Sequence, residues 1–267
     1  MKTIHLSPIG GLGNRLRTIA SVYNYCVSND AKLVVHWFKE CRKDGLNASF
    51  CSLFKPVEAF TVVDCRFADY WVNNLPLKRN LYIPLLVDAV TRRRALYNIG
   101  KDELGQLEID GDATVVTGSQ QGEMCRLDKL FIPVAELQDE IDTFGTRLGE
   151  NVVGCHIRRT DNVLSIKNSS IEKFEKCLDE LFEGDDGVKV FLCSDDEGVK
   201  QHFVLRYGSN KVVTRRSVLK RNSWQGIADA VVEMWILSKA RVIYGSYWSS
   251  FSEISAYLGH SKLQVVK

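Results

Sequence analysis

Proline is scarce in this chain, at 5 of 267 residues, and no segment of it is low in complexity or repeated. A disordered or fibrous chain is thereby excluded. No run of 18 apolar residues occurs, so no helix is expected to span a membrane. The opening MKTIHLSPIGG lacks the long apolar core of a signal peptide. Charge of one sign is also missing. The formal net charge of +2 is too small to indicate nucleic-acid binding by bulk electrostatics. The basic clusters TRRRA (91–95) and TRRSVLKR (214–221) read as solvated faces. None of the 8 cysteines forms a CxxC pair, which argues against a zinc ribbon or a dithiol redox motif. Cys155 and Cys193 lie inside apolar runs, where a reduced thiol packs as a small hydrophobe. The expectation is a reducing, cytoplasmic setting. Neither GxGxxG nor GK[ST] is present, so the usual dinucleotide and P-loop motifs are absent.

What is present is an alternation of short apolar runs and amphipathic stretches. The second half is the more legible. VVGCHI (152–157), VKVFLCSDD (188–196), KVVTR (211–215), RVIYGSY (241–247) and KLQVVK (262–267) read as strands, the second ending in acids. Between them, SSIEKFEKCLDELFEG (169–184) places Ile171, Phe174, Leu178, Leu181 and Phe182 on one helical stripe. EGVKQHFVLRYG follows as a helix stopped by Gly208. SWQGIADAVVEMWILSKA (223–240) and SSFSEISAYLG (249–259) complete the set. Strands alternating with helices predict a parallel, doubly wound sheet. In the first half, KTIHLSP, KLVVHW, TVVDC (61–65) and ATVVTGS (113–119) read as strands, and a helix follows the glycines after the first. The stretch 66–110 is compatible with helices. A boundary near 145–151 predicts two α/β lobes, 1–148 and 149–267, facing each other across a cleft.

In doubly wound sheets ligands bind beyond the carboxyl ends of the strands. Polar segments recur there. HIRRTD (156–161) follows one strand, SDD (194–196) the next, and SYWSSFS a later one. Arg158 and Arg159 at a strand end are costly to bury without an anion, be it an internal carboxylate such as Asp161 or a ligand. Arg158 suits bidentate contact with a diphosphate, and His156 suits a base or a sugar hydroxyl. Ser194, Asp195 and Asp196 either meet a metal or sugar hydroxyls, or cap the following helix. Asp229 and Glu233, four apart on a helix, are either a solvated face or place near the buried edge an acid that accepts two hydrogen bonds from guanine. Ser250, Phe251 and Ser252 open a helix, where hydroxyls and free N–H groups favour an anion, or simply cap it. GGLGNRLR (10–17) lies between a strand and a helix. Gly11 and Gly13 let a ligand approach the backbone, and Asn14 and Arg15 stand beside it.

Together these residues resemble the α1,2/α1,6/protein-O-fucosyltransferase superfamily. HIRRTD matches its HxRRxD signature in the form found in the α1,6 and nodulation enzymes. EMWILSKARVIYGSYWSSFSEISAYLG resembles the later motifs, and GGLGNRLR the N-terminal glycine motif. The resemblance covers mainly 8–20 and 150–260. It implies a GT-B-like fold of two Rossmann-like lobes, GDP-fucose as donor, a glycan hydroxyl as acceptor, inversion at the anomeric carbon and no metal or other cofactor. It implies that Arg158 holds the diphosphate and that His156 and Glu233 read guanine. Asp195 and Asp196 would line the donor site, and Ser250 and Ser252 would bind phosphate oxygens. Asn14 and its glycines would sit on the facing lobe beside the sugar. One departure stands out. In the α1,6 enzymes a Lys follows the signature Asp and a Glu comes shortly after; here those places hold Asn162 and Ile166. The general base therefore falls to Asp161 or to Glu123. Alternatives at the same site are another nucleotide sugar, or a non-catalytic nucleotide- or glycan-binding relative. No segment demands a membrane, although peripheral contact is compatible with a lipid-linked acceptor.

Overall fold

The apolar runs become two all-parallel sheets of five strands each. The computed structural model describes residues 1–39, 46–64, 94–160 and 162–267. They divide into two compact units. The first comprises Met1–Val134 with Lys220–Ala228, and the second Ala135–Leu219 with Asp229–Lys267.

In the first unit β1 (Lys2–Pro8) leads into α1 (Leu12–Ser28), followed by β2 (Ala31–Trp37), β3 (Thr61–Asp64), β4 (Ala95–Asn98), β5 (Ala113–Thr117) and the short α2 (Leu127–Leu130). The strands order as β3-β2-β1-β5-β4. β4 arises from ALYN, inside the stretch 66–110 that reads as compatible with helices. Its burial is slight, and it pairs with β5 from Ala95 opposite Ala113 to Asn98 opposite Val116. Ile4, Leu6, Leu16, Ile19 and Val35 are fully buried, as the apolar face of α1 requires against the sheet.

The second unit contains α3 (Ala135–Leu148), β6 (Val152–Ile157), α4 (Val163–Asn168), α5 (Ile171–Gly184), β7 (Lys189–Ser194), α6 (Glu197–Tyr207), β8 (Val212–Thr214), α7 (Trp224–Leu237) from Asp229 onward, β9 (Val242–Ser246), α8 (Ser250–Gly259) and β10 (Lys262–Val266). Their order is β10-β9-β6-β7-β8. β6 is central and every residue of it is buried, which is why VVGCHI shows no polar alternation. Its two faces meet different partners. Cys155 and Ile157 pack with Val190, Leu192, Phe174, Leu178 and Phe203, so the expected stripe of α5 faces this layer. On the other face a Cβ at Gly154 would lie 2.5 Å from Leu237 Cδ1, so only glycine lets α7 approach so closely. Gly208 follows α6 with φ +86°, as expected, and α8 ends at Gly259, also as expected, with the capping residue His260 in the left-handed region at φ 53°. No helix among the described residues is long and apolar enough to cross a membrane.

Candidate functional site

The second sheet fixes where a ligand belongs. The chain lays down β6, β7 and β8 outward in one direction, then returns to place β9 and β10 on the other side of β6. Between β6 and β9 the order reverses, and in doubly wound sheets such a reversal marks the ligand position, outside the carboxyl ends of the two strands. The segments that leave those ends are HIRRT and SYWSSFS.

They meet at His156. Its Nδ1 lies 2.8 Å from Ser252 Oγ and 3.4 Å from Ser249 Oγ, and its ring stacks on Phe251 at 4.6 Å between centroids, inclined by 21°. The Arg158 amide donates to Ser246 Oγ at 3.0 Å, tying the two strand ends together. Arg158 is the first residue beyond the end of β6. Burial lowers the His156 pKa from 6.5 to about 4; the Arg158 charge pushes the same way and the Asp195 carboxylate opposes it. The imidazole is therefore neutral at neutral pH, and each ring nitrogen can serve as donor or acceptor according to the tautomer. The folded state binds fewer protons here than the unfolded chain between pH 6.5 and 4, so stability falls as pH drops through that window. His36, also lowered to about 4 by burial, by His5 and by Arg94, adds a loss of the same sign. Urea midpoints should fall steadily over this range; a flat profile would contradict the two burial environments.

Ser252 is held against His156 by Gly245. A Cβ at Gly245 would lie 2.6 Å from Ser252 Cβ and 2.7 Å from its Oγ. Gly245→Ala should push Ser252 off the imidazole and destabilise the fold by about 1–3 kcal/mol through overpacking. Chemical denaturation together with the His156 NMR titration checks this, and an unmoved His156 would refute it. Ser249 is the residue before α8 but makes no side-chain cap bond, so the simple capping alternative does not describe this segment.

Other expected ligand residues act on the protein itself. Asp195 Oδ1 accepts from the Arg159 amide at 2.7 Å, and its Oδ2 accepts from Thr160 N at 3.3 Å and Thr160 Oγ1 at 2.7 Å. Asp196 caps α6, accepting from Gly198 N at 2.8 Å and Val199 N at 3.4 Å, which is the cap alternative. Ser194 Oγ donates to Ile157 O at 2.7 Å. The Arg159 guanidinium donates to the carbonyls of Ile166, at 3.3 Å, and Ser169. Ser194, Asp195 and Arg159 thus fix the end of β6 and the loop after it, and Asp196 fixes the start of α6. Asp161 lies outside the described residues. No group of three or more His, Cys, Asp or Glu side chains among the described residues is arranged to hold a metal ion.

Glu233 and Asp229 do not form a solvated face. Both are buried, at 6% and 4% exposure, because loop 215–218 folds over them with its own donors. Glu233 Oε1 accepts from Lys200 Nζ at 3.1 Å, and the same ammonium donates to Ser217 Oγ at 2.7 Å and Arg215 O at 3.0 Å. Asp229 accepts from Arg215 Nη1 at 2.8 Å and Val218 N at 2.7 Å, while Arg215 also reaches Glu140. Arg215 is thus an internal strut, although it belongs to a cluster that reads as a solvated face. Lys200 is invisible to sequence reasoning because lysine is almost always exposed. The one available signal is its position three residues before Phe203, on the buried stripe of α6.

In the first sheet the order reverses between β1 and β5. Gly10 follows β1 with φ +89°, and a Cβ at Gly118, after β5, would lie 2.9 Å from Ile9 O. Gly11 is the N-cap of α1, with no side-chain cap and no acid in the first turn, so the first amides point into the loop region. A Cβ at Gly11 would run into the Arg221 guanidinium. Arg15 does not face this region. It is fully buried, donates from Nε to Gly10 O at 3.0 Å and from Nη1 to Phe38 O at 2.6 Å, and covers the Trp37 ring at 4.9 Å. It clamps the glycine loop from behind, and Gly13 is likewise buried within α1. Asn14 is half-buried, with Oδ1 accepting from Arg17 at 3.0 Å. Glu123 is exposed, and its carbonyl accepts from Asn24 at 3.1 Å.

No family model matches the sequence, and neither does any curated protein. Solved structures do resemble it in fold. The crystal structure of NodZ alpha-1,6-fucosyltransferase soaked with GDP-fucose superposes with a TM-score of 0.63 at 19% identity, covering 96% of this chain and 92% of that one. POFUT1 in complex with GDP gives 0.62 at 14% identity, covering 99% and 98%. Fucosyltransferase NodZ from Bradyrhizobium gives 0.62 at 18% identity, covering 95% and 92%. At this identity the likeness shows the fold, an α/β architecture with two parallel five-stranded sheets, which is the fold class expected from the sequence.

Proposed function

We propose that this chain is an inverting, metal-independent glycosyltransferase that moves fucose from GDP-fucose to a glycan hydroxyl. One observation carries the reading. His156, Phe251 and Ser252 converge at the reversal point of a nucleotide-type sheet, with Arg158 at the end of the same strand, in a fold shared with structures that hold GDP and GDP-fucose. A neutral imidazole stacked on an aromatic ring suits a base or ribose. An arginine at the strand end, together with the hydroxyls and amides that open α8, suits a diphosphate.

The step is a single displacement. The acceptor oxygen attacks C1 of the sugar as the C1–O bond to the diphosphate breaks, and the electron pair leaves with GDP. Arg158 and the N-terminal amides of α8 stabilise the growing negative charge, the role a metal plays in other transferases. A carboxylate takes the acceptor proton. Asp161 and Glu123 are the two groups proposed for that task. Cys26, Cys155 and Cys193, buried as free thiols and held protonated by burial, support a reducing, cytoplasmic setting.

A second donor is favoured by one feature. Asn162 and Ile166 stand where the resembled enzymes carry Lys and Glu, and Asn162 instead caps α4 by accepting from Ser165 N at 3.0 Å. The test is a donor panel of GDP-fucose, GDP-mannose and UDP-sugars with glycan acceptors in EDTA, following nucleotide release and the anomeric configuration of the product. GDP-fucose consumed with inversion supports the proposal. Preference for another sugar moves the reading to that donor. Retention, dependence on metal, or no transfer contradicts it.

A further inference from the structure

Trp248, between β9 and α8, has no part in the reading above and is held in a conformation that packing does not explain. Its φ is +57°, in the left-handed region that a bulky side chain rarely enters. The other described non-glycine residues with positive φ are Asp30, Asp102 and His260, types that tolerate this region. Tryptophan is not such a type, and strain of this kind persists only where the surroundings impose it. Here they do. Asn162 Nδ2 donates to Trp248 O at 2.9 Å while Asn162 Oδ1 accepts from Ser165 N at 3.0 Å, so one side chain fixes both the start of α4 and the turn at 248.

The strain does not bury the indole. Trp248 is 67% exposed, whereas its neighbour Ser249 is buried with Oγ 3.4 Å from His156 Nδ1. The turn therefore sends Ser249 inward to the histidine and leaves the preceding indole exposed, one residue away from the groups of the site. The Tyr247 ring stands 6.0 Å from it, inclined by 45°. An exposed aromatic face beside polar groups suits a ligand with one apolar face and a polar edge. A pyranose ring has this form, with C–H groups on a face and hydroxyls around its rim.

We infer that Trp248 is a stacking platform for a pyranose ring at the sugar end of the site. This rests on the nucleotide-sugar reading, and the ring belongs either to the donor or to the acceptor.

The test compares wild type, Trp248→Gly and Trp248→Phe, with calorimetry for GDP and GDP-fucose, KM for the acceptor, and thermal unfolding. Trp248→Gly removes the platform and relieves the φ, so its Tm should not fall. GDP should bind within about twofold of wild type. Affinity for the sugar-bearing ligand should fall about 5- to 10-fold, the range that pairwise ring stacking supplies. Trp248→Phe should keep most of that affinity. Loss with GDP-fucose over GDP supports a donor-sugar platform; loss confined to acceptor KM supports an acceptor platform. Sugar-ligand affinity unchanged in Trp248→Gly, with GDP bound by the wild type, overturns the platform alone. Lowered Tm with equal loss of GDP binding overturns it in favour of a structural role. A wild type that does not bind GDP overturns the nucleotide reading and this inference with it.

Discussion

Lys200→Met should destabilise the protein by about 3–5 kcal/mol, the usual cost of leaving a buried charge without its partner. The side chains of Lys200 and Glu233 are 1% and 8% exposed, with 3.1 Å between Nζ and Oε1. Burial already raises the Glu233 pKa, and Lys200 is the largest influence that lowers it, ahead of Ser217 and Arg215. Without the ammonium, the carboxyl rises further. The sign of the pH dependence follows. A carboxyl raised in the folded state binds more protons folded than unfolded above its ordinary pKa of 4.5, so stability is lost as pH climbs through the raised value. Lys200→Met should therefore be most stable in acid and weaken toward neutrality, opposite to the histidine trend. The double variant Lys200→Met with Glu233→Gln removes both charges and should recover much of the loss, which keeps the test informative if the single variant does not fold. Urea denaturation at several pH values measures all three. A single variant within about 1 kcal/mol of wild type would refute the buried pair.

Arg158→Ala should lower the rate of transfer by about 10²–10³-fold, the range seen when one preorganised charge donor is removed. The contact of residue 158 with Ser246 Oγ is made by its backbone amide and survives the substitution. Arg158→Lys should recover part of the rate, since a lysine keeps the charge but not the planar fork. Steady-state nucleotide release and the urea midpoint separate the two effects. Equal turnover in Arg158→Ala would remove the residue from the mechanism, and an equally large drop in stability would make it structural.

The second sheet is legible in the sequence because a strand buried on both faces is a continuous apolar run, and VVGCHI and VKVFLCS are such runs. β4 is not legible, since ALYN is four residues long and half-exposed at an edge. α3 carries a readable stripe of Leu137, Ile141 and Leu148, yet it belongs to the second unit, whereas the boundary drawn from sequence places it in the first lobe. Within the site, His156, Phe251 and Ser252 converge as their positions after successive strands imply. Arg15, Arg159, Asp195 and Asp196 share the same kind of position but serve the loops. Sequence does not separate the two groups, because tying a loop and holding a ligand call for the same donors and acceptors. What distinguishes them is whether a backbone partner lies within reach, as Gly10 O does for Arg15 and Ser169 O for Arg159. The burial of Glu233 is illegible for a related reason: its partner Lys200 sits 33 residues away on another helix.

Calorimetric titration of wild type and Arg158→Ala with GDP, GDP-fucose, GDP-mannose and UDP, all in EDTA, bears most directly on the site. Selective binding of guanine nucleotides that survives the chelator and collapses in Arg158→Ala is the expected result. Equal affinity for UDP, loss of binding in EDTA, or an Arg158→Ala protein that binds GDP normally would contradict a metal-independent GDP-sugar site at the β6–β9 reversal.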